Sequence, residues 1–140
     1  LWLPERQGLA RIGLLDYQDA LRGHPAYDLI SLAEDARRDV GPGLADRLKA
    51  RYARARGLDR SAFGEACAVL AAQRNLKIVG IFARLATRDG KRQYLRLIPR
   101  VWAHVQRDLA HPALAPLAAL VTRLIPEPSP ARLALAEAAA

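Results

Sequence analysis

Apolar residues change their spacing once along this chain. Up to about residue 20 they come in short runs, Leu1-Trp2-Leu3 and Ile12-Gly13-Leu14-Leu15, which flank the turn-forming segment Pro4-Glu5-Arg6-Gln7-Gly8. That pattern predicts a small β-hairpin or two neighbouring short strands. After Gly23-His24-Pro25 the spacing turns helical: Leu29, Leu32, Ala33 and Ala36 share one face up to Arg38, with Pro25 suited to the first turn. Gly41-Pro42-Gly43 breaks that helix.

A second helix is predicted from about Leu44 to Arg56, stopped by Gly57. Asp59 or Ser61 then caps a long third helix ending near Thr87, before Asp89-Gly90. Its apolar positions, among them Phe63, Leu70, Ile78 and Phe82, fall on more than one side, which predicts a central helix. Gly80 inside it costs about 1 kcal/mol in propensity and is expected to permit close packing. A fourth helix covers about Gln93 to Ala110, kinked or broken by Pro99. A fifth runs from about Ala113 to Leu124, opened by His111-Pro112. Pro126-Glu127-Pro128-Ser129-Pro130 reads as a linker, and the alanine-rich tail beyond it as either a short docked helix or a disordered end. The expected organisation is a folded unit over residues 1–126 and a linker with tail over 127–140.

The length of 140 residues suits one domain or part of one. No methionine is present, and Leu1 is not the small residue that follows a removed initiator Met, so residue 1 is expected to be a cut end. The single Cys67 excludes an internal disulfide framework and suits a reducing, cytoplasmic setting. No run of 18 apolar residues predicts a membrane span. A formal charge of +8 invites a nucleic-acid reading. Its arginines are interleaved with acids, however, and the densest stretch, Arg47 to Arg60, reads first as one solvated side of a helix. No aromatic interleaving supports nucleic acid as the partner.

The segment Leu14-Leu15-Asp16-Tyr17-Gln18-Asp19-Ala20 carries the first chemistry. An apolar run delivers Asp16 at its end and Asp19 three residues on, the oxygen ligands a hard cation such as Mg2+ requires. Capping a turn is the alternative use of such acids. Asp16 to Ala20 followed by Gly23-His24-Pro25-Ala26-Tyr27-Asp28-Leu29 closely resembles the C-lobe of the aminoglycoside phosphotransferase family of kinase-like enzymes. Gln73-Arg74-Asn75-Leu76-Lys77 and Tyr94-Leu95-Arg96-Leu97-Ile98-Pro99-Arg100 resemble its branch of bacterial cell-wall amino-sugar kinases, which phosphorylate N-acetylmuramate and N-acetylglucosamine.

The resemblance implies a mainly α fold: the helical C-lobe of a protein-kinase-like fold, preceded here by the small β-hairpin. It implies ATP and Mg2+ as cofactors, with Asp16 holding the metal against the nucleotide phosphates. Tyr17-Gln18 replaces the Phe-Gly of the kinase pattern, which argues against a flipping switch. Asp28 matches an acid that receives hydrogen bonds from the catalytic-loop backbone, a structural role, and Asp19 could serve metal, sugar or turn. The family's catalytic base and metal-binding Asn fall just before Leu-Trp-Leu-Pro-x-Arg, the pattern with which this chain opens at Leu1. They are expected upstream, and the partner of the chain is then the missing N-terminal part of the same protein. The parent is read as a kinase for an amino sugar and the 140-residue piece as inactive alone.

Arg37 and Arg38 are candidates to face a carboxylate-bearing acceptor, with intrahelical ion pairs to Glu34 and Asp35 as the competing use. Gln73, Arg74 and Asn75 lie amid apolar residues and are candidates for substrate contact or core hydrogen bonds. His24, His104 and His111 show no metal-ligand spacing. Cys67 reads as a buried small apolar residue. Two other classes stay open: a non-catalytic helical module that binds protein or nucleic acid through Arg47 to Arg60, and a kinase-like protein whose phosphotransfer has decayed.

Overall fold

The computed structural model describes residues 1–15, 18 and 20–139, the last by its backbone alone. Six α-helices follow one another among them: α1 (Ala26–Ala33), α2 (Leu44–Ala55), α3 (Arg60–Thr87), α4 (Ile98–Leu109), α5 (Ala115–Leu124) and α6 (Pro130–Ala139). Short 3-10 turns at Gly8–Arg11, Arg92–Leu97 and Pro112–Leu114 complete the architecture. The mainly α fold predicted from the spacing is the one observed.

The predicted β-hairpin is reduced to one antiparallel bridge, Trp2 with Ile12. Three backbone bonds hold it: Leu3 N–H to the Arg11 carbonyl at 2.8 Å, Gly13 N–H to the Leu1 carbonyl at 2.9 Å, and the Leu1 ammonium to the Gly13 carbonyl at 3.0 Å. Gly8, at φ +55°, starts a 3-10 turn that takes up residues a ladder would need. Leu14 and Leu15 run on exposed, with no strand beside them among the described residues.

The helix signals resolve mostly as the sequence indicates. Asp59 caps α3 by accepting a 2.7 Å hydrogen bond from Ala62 N–H. Gly57 and Gly90, at φ +61° and +65°, take the left-handed conformation that closes the helices before them. Pro99 breaks the predicted fourth helix into the 3-10 turn before it and α4, where it sits in the first turn and needs no N–H donor. The tail forms α6 and docks Leu133 and Ala136 against the base of α3.

Two expectations need correction. The first helix ends at Ala33 and not at Arg38, because Glu34 turns away at φ −126°, ψ 51° and spends its groups on α3. Asp35 then accepts from Arg37 N–H at 2.7 Å, a local turn that competes with helix. Gly80 does not permit close packing: it is exposed, and a Cβ placed there would meet nothing within 4 Å.

Three apolar clusters share α3 as their common wall. Ile30 of α1, Ala53 of α2 and Phe63, Cys67 and Ala71 of α3 form one. Phe82 and Ala86 meet Leu95, Ile98 and Val101 in a second, and Ala72 meets Trp102, Val105, Leu109 and Val121 in a third. Alanines occupy many of the buried helix contacts, including Ala26, Ala33, Ala53, Ala71, Ala72 and Ala86. Among the described residues, only α3 is long and apolar enough to cross a membrane, and here α1, α2 and α4 pack against it. Cys67 is buried as expected, and burial pushes its thiol pKa up.

Candidate functional site

Helix α1 has a different cavity at each end. Its first turn opens on a space of about 740 Å3 lined by Leu14, Leu15, Leu21, His24, Tyr27 and Asp28 among others. The sequence sets this end: His24 precedes Pro25, and its Nδ1 accepts a 3.2 Å hydrogen bond from Ala26 N–H as a cap. His111, also ahead of a proline, does the same for Ala113 at 3.3 Å. Asp28 is exposed in the first turn and faces this cavity. The metal candidates Asp16 and Asp19 lie outside the described residues. Leu14 and Leu15, which lead toward them, line the same space as Asp28.

The other end of α1 carries a polar network in which Arg74 and Asn75 make core hydrogen bonds, one of the two uses read from the sequence, with partners the sequence did not indicate. Glu34 is fully buried, as is Asn75 in the middle of α3, and Asp108 near the end of α4 is nearly so. Asn75 Nδ2 uses both its protons, one donated to Glu34 Oε2 at 2.8 Å and one to Asp108 Oδ2 at 2.9 Å. Asn75 Oδ1 accepts from Arg74 Nη1 at 3.3 Å, and that nitrogen also donates to the Glu34 carbonyl at 3.2 Å. Glu34 Oε1 receives Arg107 at 3.2 Å and Lys49 at 3.5 Å. No buried side-chain polar atom among the described residues lacks a partner. A buried charge is tolerable only with this kind of pairing.

Two carboxylates on one amide cannot both be ionised cheaply. Burial first, and the Glu34 charge second, raise the Asp108 pKa to about 7 against the lowering effects of Asn75, Arg107 and Lys49. Asp108 therefore holds its proton over most of the acidic range.

A cleft of about 200 Å3 opens above this network, between the end of α1, the loop before α2 and one side of α4. Arg38, Lys49, Arg100, His104 and Arg107 contribute to its lining, with Asp39 and Asp46 as its acids. Arg100 pairs with Asp39 at 2.9 Å. His104 is held neutral mainly by burial and then by the Arg107 charge, so its pKa is lowered. Arg107 Nη2 stands 2.8 Å from His104 Nδ1; since a guanidinium only donates, Nδ1 accepts and Nε2 carries the proton.

The sequence candidates are thus separated by the fold. Arg38 lines the cleft, while Arg37 is exposed and outside its lining. Gln73 is exposed, and Arg74 is spent on the buried network. Of the basic stretch, Arg47, Arg51 and Arg54 stay exposed on α2, but Lys49 turns to Glu34. Asp108 and Arg107 were not singled out from the sequence, while Glu34 was read only as a partner for Arg37 and Arg38 and Lys49 only as part of the solvated basic stretch. A signal was present for one of them: Asp108 continues the Val101, Val105 register of the buried face of α4.

Residues 6–63 match the phosphotransferase enzyme family. Over 127 residues, 90% of this chain and 35% of the relative, it is 50% identical to the N-acetylmuramate/N-acetylglucosamine kinase of Caulobacter vibrioides. It is 43% identical over 123 residues to the protein of that name from Neisseria meningitidis serogroup B, covering 82% of this chain and 37% of the relative. The Pseudomonas putida protein of the same name is 37% identical over 122 residues, with 80% and 35% covered. The chain spans about a third of the length of these curated relatives.

Proposed function

We propose that this chain, whose residues 6–63 match the phosphotransferase enzyme family, forms the helical lobe of an ATP- and Mg2+-dependent kinase for an amino sugar of the N-acetylmuramate or N-acetylglucosamine type. The observation that carries the reading is the 50% identity, over 127 residues, to a kinase with that acceptor in its name. The free, buried Cys67 suits the cytoplasmic setting of such an enzyme.

In this reading Asp16 is the metal ligand, and Asp19 is a second oxygen donor toward metal or sugar. The described residues hold no group of three or more His, Cys, Asp or Glu able to bind a metal on their own. In this reading Asp16 shares the ion with water and phosphate. An Mg2+ ion bound there supplies neutralisation of charge on the transferring phosphates. Asp28, exposed in the first turn of α1, has in this reading the structural role of accepting hydrogen bonds from the catalytic-loop backbone. The base that deprotonates the acceptor hydroxyl is assigned to the two thirds of the relatives' length that this chain does not cover. The 140-residue chain alone should then be inactive.

The test joins this chain to the remaining two thirds of the Caulobacter vibrioides relative and follows phosphate transfer from ATP to each sugar. The chimera should turn over and the chain alone should not. Asp16→Asn should nearly abolish turnover with an unchanged circular dichroism spectrum. Full turnover in the Asp16→Asn chimera refutes the metal role, and transfer by the chain alone refutes the placement of the base.

A further inference from the structure

The cleft above Glu34 is separate from the phosphate transfer proposed above, which concerns the opposite end of α1. Three elements wall it: the loop after α1 brings Arg38, α2 brings Lys49, and α4 brings Arg100, His104 and Arg107. At about 200 Å3 it falls below the roughly 300 Å3 at which pockets for whole organic ligands begin, and it leaves room for a small anion. Its cations are not equally spent. Lys49 and Arg107 share one Glu34 oxygen at 3.5 and 3.2 Å, so two positive charges face one negative. Arg100 is matched by Asp39, and the Arg38 guanidinium has no partner among the described residues. Asp46, the other acid on the lining, also borders a second hollow beside Phe63.

The cationic floor stands before any ligand arrives. Glu34 is clamped by Asn75 and in turn holds Lys49 and Arg107 in place. Arg107 orients the His104 ring and leaves its Nε2 proton available as a neutral donor. The N-cap of α2 is Gly43, which has no side chain to occupy the first N–H groups on that wall. Donors therefore face the space from three directions. A planar carboxylate presents its two oxygens in one plane, which a single guanidinium satisfies. A tetrahedral phosphate presents oxygens to every wall, and its two charges match Arg38 together with the surplus cation at Glu34.

We infer that this cleft is a second, non-catalytic site that binds phosphate, as the free ion or as the end group of a small phosphate ester. Arg38 is its main ligand, and Glu34 is the residue that positions Lys49 and Arg107 behind it. A phosphate held there ties the loop after α1 to α2 and α4.

Sodium phosphate, glycerol 3-phosphate and, at matched ionic strength, sodium chloride are titrated into the 140-residue chain and into the chimera, with amide chemical shifts as the readout. Phosphate should saturate, and the shifts should centre on Arg38, Gly43 and His104. Tighter binding of glycerol 3-phosphate than of phosphate assigns the site to an ester, and any other order assigns it to the free ion; both support it. Arg38→Ala should weaken binding about tenfold, the loss of a charge-assisted hydrogen bond, and Arg38→Lys should recover part of it. Arg51→Ala, on the exposed face of α2, should leave binding unchanged. A chloride response equal to that of phosphate, no saturation in either protein, shifts gathered only at Leu15, Tyr27 and Asp28, or undiminished binding in a folded Arg38→Ala variant overturns the inference. Turnover of the chimera tests the kinase reading alone and leaves this site untouched.

Discussion

Replacing Asp108 by Asn should change how the stability of the chain depends on pH. The folded Asp108 carboxyl has its pKa raised from an ordinary 3.8 to about 7. The folded state therefore keeps a proton that the unfolded chain releases above pH about 4. By linkage, this group's favourable contribution is complete below the unfolded pKa, shrinks as pH rises between the two values, and is gone above about 7. At 1.36 kcal/mol per pKa unit the full span corresponds to about 4 kcal/mol, of which about 2–3 kcal/mol falls between pH 5 and pH 8.

Asn at this position mimics the protonated acid and still offers an oxygen to Asn75. By the same linkage the Asp108→Asn variant should match the wild type only below about pH 4, be more stable by about 1–2 kcal/mol at pH 5, and be more stable by about 4 kcal/mol at pH 8. Urea unfolding at constant ionic strength measures this, followed by helix circular dichroism and by the fluorescence of Trp102, which is buried beside Val105 while Trp2 is exposed. Comparing the two proteins at each pH cancels the titration of every carboxylate they share. Parallel stability profiles for the two from pH 5 to pH 8 would refute the shared-proton account of the Glu34, Asn75 and Asp108 cluster.

Two further substitutions probe the helix that everything packs on. Gly80→Ala should stabilise the chain by about 1 kcal/mol and raise the thermal midpoint by several degrees, since the new methyl meets open space. A lowered midpoint would mean that Gly80 is in contact after all. Asp59→Ala should cost about 1 kcal/mol by leaving Ala62 N–H without its cap, seen as faster amide exchange in the first turn of α3. Unchanged stability would show that water replaces the carboxylate at no cost.

Local chemistry made the helices legible, and distance along the chain hid the network. Asp59, Gly57, Gly90 and Pro99 act on their own neighbours, so the ends of α2 to α4 follow from a few residues at each boundary. The stop after Ala33 does not, because Glu34 leaves the helix for a partner 41 residues away. Asn75 read as a residue in need of partners, but which partners depended on bringing α1 and α4 to the same level of α3. Asp108 and Glu34 each lie among charged neighbours that look solvated in sequence. Asp16 and Asp19, the strongest candidates by motif, lie outside the described residues, so their part of the site rests on resemblance and on the experiment above.

The alanines at the helix contacts give this protein an unusual tolerance profile. Ala26, Ala53, Ala71, Ala72 and Ala86 sit buried at the contacts between helices. Truncation can remove only a methyl at such sites and leaves no cavity worth the name, whereas any enlargement must push two helices apart. Sequence drift at these alanines is therefore confined on both sides: glycine costs about 1 kcal/mol in helix propensity, and any added carbon must push two helices apart. Divergence should collect instead on the wide solvent-facing sides of α2 and α5.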